Sequence, residues 1–324
     1  MKEFESINKA YNDVFSAGGL SIGIVVPIEQ YGSGPVPSMT DHLQRVRQVD
    51  RLGFKALWVR DIPLNVPSFG DAGQTFDPFT YLGYLAGQTE NIALGVASIA
   101  LPLHHPAHVA KSAASIDQLS NGRLLLGVAS GDRFEEYPAL GFDFQERGEY
   151  FRAAFEYIRT AAESFPTLAN NSYGELPGTA DFLPKPTAHK IPMLITGHSR
   201  QSLVWNAVHA DGWMNYPRNL PHQQESIRQW RALMSEQSFG KPFMQPLYVM
   251  LSDRADAKPQ AIPLGFRIGI KYLADYFHQL REIGVNHVAI NLRFQQGELD
   301  KALEQLAEEL FPIFHHTQKE TLSA

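Results

Sequence analysis

Eight short apolar runs, each followed by an amphipathic stretch of helical length, restrict the fold of this chain more than any other feature. The runs cover residues 21–28, 56–61, 92–101, 123–131, 191–197, 211–217, 243–252 and 287–293. "SIGIVVPI" and "RLLLGVASG" typify them: aliphatic residues follow one another almost without alternation, as in a strand covered on both faces. After the first run comes "MTDHLQRVRQVDRLGF", where Leu43, Val46, Val49 and Leu52 repeat at helical spacing and Thr40 or Asp41 can cap the helix. Further helices are predicted near 79–89, 107–119, 146–165, 200–209, 221–236, 269–283 and 299–311. Eight buried parallel strands with crossover helices describe an α/β chain of the (β/α)8 TIM barrel type. A doubly wound open sheet is the competing reading. It is weakened because no Gly-x-Gly-x-x-Gly follows any strand and because the count stops at eight.

Two segments interrupt the rhythm. Residues 166–190 are proline-rich and form an insertion after the fourth helix. Residues 253–269 are polar and turn-rich, and follow the seventh strand on the side where barrel loops build active sites. Neither reads as a linker, so a single domain over 21–324 is expected. Residues 1–20 read as a helical extension, with Phe4, Ile7, Tyr11 and Val14/Phe15 at helical spacing.

The 324 residues carry a net charge of −6, which gives no electrostatic reason to expect nucleic acid or an anionic membrane as partner. There are no cysteines, which removes disulfides, iron–sulfur clusters, thiolate zinc sites and cysteine nucleophiles together. The N-terminus lacks the basic-then-apolar pattern of a signal peptide, and no apolar run approaches the roughly 18 residues of a membrane span. A cytoplasmic location is expected.

His104, His105 and His108 crowd together in "LHHPAH" and invite a metal reading. Pro106 opposes it, because it forces His105 into an extended conformation and fits best in a helix's first turn. No acidic residue stands at a spacing that would complete a metal set, and the strand ends lack a His-x-His pattern. His104 and His105 are therefore expected to cap or line the end of the third strand, where a histidine facing substrate also remains open. No metal is expected.

The same stretch carries a resemblance. Pro102, His105-Pro106, Ala110-Lys111, Asp117, Leu119-Ser120, Gly122-Arg123, Gly127, Gly131, Gly141, Asp143 and Glu146-Arg147 resemble the pattern of the luciferase-like flavin monooxygenase family. "ITGHSRQSLVWNAVHADGWMN" and "IGVNHVAINL" are similar to its fifth and last strand regions. The resemblance spans roughly residues 20–312. It implies a barrel, usually dimeric, that binds FMN, or a deazaflavin in some branches, at the C-terminal ends of its strands. Many members accept reduced FMN from a separate NAD(P)H-dependent reductase and react it with oxygen to oxygenate a small organic substrate.

Carried onto this chain, the resemblance makes Gly197, His198, Ser199 and Ser202 the phosphate candidates, between a strand and a helix start. Ser130 and Gly131 stand where relatives contact the cofactor. Some of those relatives carry arginine at the serine position; Arg133 either supplies that charge or faces solvent. The flavin ring is expected over the third strand, where Ala97–Ser98 matches a non-proline cis peptide of the family. Asn215 matches a flavin-contacting position. Several relatives present a catalytic histidine at the end of the second strand, where this chain has Arg60 and Asp61. Those two and His104 are the catalytic candidates. The missing histidine argues against a luciferase-type aldehyde reaction. A deazaflavin-dependent dehydrogenase and a flavin-binding barrel without turnover are the alternatives.

Overall fold

The computed structural model describes residues 2–32 and 34–315. Eight parallel strands close into a barrel: β1 (Ser21–Val25), β2 (Ala56–Val59), β3 (Ala93–Ala100), β4 (Leu124–Ala129), β5 (Met193–Thr196), β6 (Gly212–Met214), β7 (Phe243–Leu251) and β8 (His287–Asn291). Each pairs with its neighbour in chain order. Closure comes from β1 against β8, with Ser21 opposite His287 and Ile24 opposite Ile290. The expected (β/α)8 barrel is present. Helices α1 (His42–Leu52), α2 (Pro78–Ala86), α3 (Pro106–Leu119), α4 (Arg147–Ala161), α5 (Leu203–His209), α6 (Leu220–Ala232), α7 (Ile270–Ile283) and α8 (Leu299–Phe314) surround it.

The unbroken apolar runs have a direct cause. Ile22, Ile24, Leu57 and Val59 pack outward against the helices, in one layer with Val46, Leu82 and Leu303. Val25, Ala56, Trp58, Leu125, Leu194, Met214 and Ala289 fill the barrel interior. Both faces are buried, so neither needs polar residues.

Three local outcomes differ from the expectations. Asp41 stands at the α1 N-cap position but takes a left-handed backbone (φ 58°), and its side chain makes no capping bond. The fifth helix starts at Leu203 rather than near 200, because Ser199 and Arg200 are left-handed (φ 46° and 60°). The sixth strand ends at Met214, three residues early. This leaves the upper part of β7 without a strand neighbour on that side, and the segment after β7 supplies one. Its hairpin, Gln260–Ile262 with Gly265–Ile268, lays Gly265 opposite Tyr248 and Ile268 opposite Leu251, which covers an edge that would otherwise be open.

The N-terminal helix Lys9–Val14 stops the bottom of the barrel, placing Tyr11, Val14 and Phe15 in the same apolar cluster as the interior residues. Asn8 caps that helix by accepting from Tyr11 N. Its amide donates to Asp117 Oδ1 (2.9 Å) and to the Leu124 carbonyl (2.8 Å). Above the plug, Trp58 Nε1 donates to His287 Nε2 at 2.9 Å, which leaves the imidazole proton on Nδ1, shared with Ser21 Oγ at 2.6 Å. Ser21 Oγ in turn donates to the Val14 carbonyl. Burial pulls the His287 pKa down to about 3, so the ring is neutral.

Arg123, the arginine of the "SNGR" motif, is buried. Its guanidinium donates to the carbonyls of Ala86, the last residue of α2, and of Thr89 just past it, to Ile92 O and to Thr89 Oγ1. It thus satisfies carbonyls at a helix C-terminus that would otherwise be orphaned.

Candidate active site

Strand ends position the site. A cavity of about 420 Å³ opens at the C-terminal mouth, within the range of small-molecule and cofactor sites. Val25, Trp58, Ala97, Met214, Met244 and Ala289 make an apolar floor. Arg60, Asp71, Arg133, Asn215, Tyr248 and Asn291 are among the polar groups of its wall.

Arg60 and Asp61 do not pair with each other. Neighbours along an extended chain point to opposite sides, and each finds its partner elsewhere. Arg60 faces the cavity and forms a bidentate pair with Asp71, Nη1 to Oδ2 at 3.0 Å and Nη2 to Oδ1 at 3.2 Å. Asp71 also pairs with Arg293 Nη1 (3.1 Å), and accepts from the hydroxyls of Tyr31 (3.1 Å) and Tyr248 (3.3 Å) and from Gly73 N (2.9 Å). Burial alone would raise the Asp71 pKa, but Arg60, the Gly73 N–H and Arg293 together hold the carboxyl below its ordinary value. Two guanidiniums share this one carboxylate.

Asp61 turns behind the wall. Its Oδ2 accepts Ala100 N (2.9 Å) and lies 2.7 Å from His104 Nε2. Burial opposes charge on His104, yet the bond to Asp61 raises its pKa above the usual imidazole value. His105 is the α3 N-cap, accepting from Ala107 N through its ring. Among the described residues no group of histidines and carboxylates is arranged to hold a metal. Close to Asp61 and His104 is Glu136, 2 % exposed, whose carboxyl is pushed up to about 7 chiefly by burial.

The Ala97–Ser98 bond is cis. There the β3–β4 ladder is interrupted, passing from Val96 opposite Leu126 to Ile99 opposite Val128. Ala97 lines the cavity floor, and the Ser98 hydroxyl bonds Thr196 Oγ1 on β5. Ser130 is buried and its carbonyl accepts from the Tyr137 hydroxyl. At Gly131 (φ 71°) any side chain would meet that hydroxyl at 2.8 Å, so glycine is required on both counts. Asn215 lines the cavity and its Oδ1 accepts from Tyr216 N.

The turn after β5 is more differentiated than a uniform phosphate cradle. Ser199 Oγ donates to Thr196 O (2.8 Å), and Ser202 caps α5 by accepting from Trp205 N (3.1 Å). The His198 ring packs on Trp213 at 6.1 Å. Gly197 (φ 56°) has open space where a side chain would stand. Arg200 packs its Cβ and Cγ over Gly148 at the start of α4, and the pKa of the adjoining Arg147 is lowered by burial and then by the Arg200 charge. Arg147 Nε is buried without a partner, and its guanidinium sits 3.6 Å from the Phe144 ring centroid.

Arg133 is half-buried and bonds away from this turn. Its Nη2 donates to Asp71 O (3.1 Å) and it lies 4.6 Å over the Phe69 ring, drawn to the loop after β2. Sequence reasoning missed Tyr31, Asp71, Tyr248, Arg293, Arg147 and Arg200 as site residues. Arg147 stood in the recognised motif and Arg293 ended a recognised strand. Asp71 lies in a loop with no periodicity and carried no signal.

A closed barrel whose cavity sits at the C-terminal mouth, with polar groups from the βα loops above an apolar floor, is an enzyme scaffold. The chain belongs to the luciferase-like monooxygenase family, whose model matches residues 20–313, and it is accordingly an oxidoreductase. It is 30% identical over 190 residues to a Mycobacterium tuberculosis protein, covering 54% of this chain and 67% of that one. It is also 30% identical over 129 residues to the alkanal monooxygenase beta chain of Photorhabdus luminescens, covering 40% of this chain and 38% of that one. Among solved structures, the monooxygenase RslO1 from Streptomyces bottropensis superposes with a TM-score of 0.76 at 16% identity, over 90% of this chain and 99% of that one. An F420-dependent secondary alcohol dehydrogenase gives 0.74 at 16% identity, over 92% and 99%. The FMN complex of the oxygenating constituent of 3,6-diketocamphane monooxygenase from Pseudomonas putida gives 0.69 at 14% identity, over 91% and 99%. At these identities the superpositions speak for the fold. No helix among the described residues is long and apolar enough to cross a membrane.

Proposed function

We propose that the protein is a flavin-dependent monooxygenase that uses reduced FMN and oxygen on a small organic substrate. One observation carries the reading. Arg200, three residues past Gly197 in the turn after β5, packs its stem on Gly148 next to Arg147, the two charges are near enough to disfavour each other, and Arg147 Nε is buried without a partner. Like charges held together in this way await an anion, and a phosphate that accepts from both satisfies them. The apolar floor from Ala97 to Met214 fits a planar ring with Asn215 in the same wall, and Ser98, bonded to Thr196 of that wall, and Ser130 and Gly131, next in the chain to its Asp132, stand behind the lining. Bound there, the flavin supplies the redox chemistry with oxygen.

The chain's own part is to position and to exclude water. Val25, Trp58 and Met244 keep the floor dry. Arg60, fixed by Asp71, presents a permanent positive charge toward the reacting side. Asp61 and His104 lie behind it and hold Ala100 at the end of β3. In the same reading a separate NAD(P)H-dependent reductase supplies reduced flavin, and the protein works as a cytoplasmic homodimer. A deazaflavin-dependent dehydrogenase is the second reading, favoured by the likeness in fold to the F420-dependent alcohol dehydrogenase.

FMN titration, in both redox states, with oxygen uptake measured in the presence of a flavin reductase and NADH, tests the proposal. Binding of FMN together with substrate-dependent oxygen uptake is expected. Arg147→Gln should weaken FMN about tenfold or more while leaving riboflavin affinity unchanged, since only FMN carries the phosphate. No affinity for FMN in either redox state overturns the reading. Affinity for F420 in its place moves it to the dehydrogenase.

A further inference from the structure

The mouth of the barrel is cationic at two separate places, and the cofactor accounts for one. Arg147 and Arg200 lie on the β4–β5 side. Arg60, Arg293 and Arg133 come from the ends of β2, β8 and β4 and meet at the loop after β2. Asp71 is the carboxylate bonded within this second group, and Arg60 and Arg293 already share it. Arg133 pairs with no carboxylate: its one hydrogen bond goes to a backbone carbonyl, and its Nη1 is buried without a partner. It nevertheless lines the same cavity as Arg60 and Tyr248. Asp132, the other acidic residue of the lining, is exposed at the edge. A guanidinium with one nitrogen buried and unpaired beside two others is costly unless a ligand completes it.

We infer that the substrate is a small organic carboxylate, whose anion is received by Arg133 beside Arg60 while its apolar part lies on the floor near Val25 and Ala289. This rests on the flavin-dependent reading for the chemistry that follows binding; the recognition itself needs only the chain. A neutral aliphatic aldehyde offers Arg133 one uncharged acceptor, whereas a carboxylate offers two oxygens and the opposite charge, so the pocket favours the acid. A carboxylate supplies the missing acceptor for the Arg133 Nη1 that is buried without a partner.

The test uses the full chain without flavin, two acids (phenylacetate and hexanoate) and the matching amides, with affinity read from tryptophan fluorescence and from the shift in melting temperature. Both acids are expected to bind and the amides to bind at least tenfold more weakly. Arg133→Gln should abolish that preference, while Arg133→Lys, which keeps the charge, should restore part of it. The melting temperature of each unliganded variant shows whether it is folded. Equal binding of acids and amides, binding of neither acid, or an undiminished preference in Arg133→Gln overturns the inference. It is also overturned if Arg133→Gln weakens FMN but not riboflavin, because Arg133 would then serve the cofactor's phosphate. FMN affinity of the unaltered protein is read separately by quenching of flavin fluorescence. A failed cofactor reading is thereby told apart from a failed substrate class.

Discussion

Two buried titratable residues shift in opposite senses, and their effects on stability oppose each other. His287 has a folded pKa near 3, below the ordinary 6.5, because burial disfavours the charged ring. The unfolded chain therefore binds more protons between those values, and stability is lost as pH falls from about 6.5 toward 3. Glutamine can accept from Trp58 and donate to Ser21 in the same place. His287→Gln should flatten the fall, which is worth up to about 1.4 kcal/mol per pH unit in the unaltered protein, in urea unfolding between pH 6.5 and 4. Glu136 behaves the other way. Its folded pKa of about 7 exceeds the ordinary 4.5, so the folded chain holds the extra proton, and stability is lost as pH rises through that window. Glu136→Gln should be near neutral at pH 4.5 and more stable than the parent by about 3 kcal/mol at pH 8. A gain that is the same at both pH values would refute the assignment.

At the scale of elements, the motif that made the chain recognisable is largely a fastening. Arg123 holds the carbonyls at the end of α2, His105 caps α3, and Asp117 receives Asn8 from the N-terminal helix and Thr187 from the insertion after α4. Arg123→Lys keeps the charge but replaces a planar fork with one ammonium, and should cost roughly 2–4 kcal/mol in urea unfolding. The N-terminal helix is as much a part of the barrel as the strands are. Tyr11 is buried at its base and donates to Asp211 O at 2.7 Å. Tyr11→Ala should cost about 3–5 kcal/mol, and Tyr11→Phe about 1 kcal/mol, by the same measurement.

The eight strands were legible because burial on both faces leaves unbroken apolar runs, a signal that needs no partner to be read. The end of β6 was not. Nothing in "DGWMNYP" marks Asn215 as the residue where the chain leaves the sheet to line the cavity. The divergence of Arg60 and Asp61, adjacent residues directly after β2, could have been drawn from the sequence, which reads 56–61 as one strand. Their partners could not. Asp71 is eleven residues beyond Arg60, in a loop whose path depends on Tyr31, Tyr248 and Arg293 arriving from distant parts of the chain. In the turn after β5, glycine and serine signalled a phosphate candidate, whereas the adjoining arginines come from α4 and the turn and meet only in three dimensions.

For the molecule as a whole, the decisive feature of the mouth is that the loops after β1, β2 and β8 and the outer part of β7 converge on the Asp71 carboxylate, with the loop after β4 joined to its backbone through Arg133. Asp71→Ala should cost roughly 3–5 kcal/mol, because it leaves two buried guanidiniums with no counter-charge. A loss of less than 1 kcal/mol in urea unfolding would show that the cluster is solvated. Barrel enzymes are commonly regarded as modular, with loops exchanged one at a time to change what the scaffold acts upon. Here that freedom is restricted. Transplanting the segment after β2 from a relative would remove the shared anchor of its neighbours. Recruiting this mouth to a new substrate therefore calls for concerted replacement at positions scattered from residue 31 to residue 293, and drift at any one of them is constrained by the others.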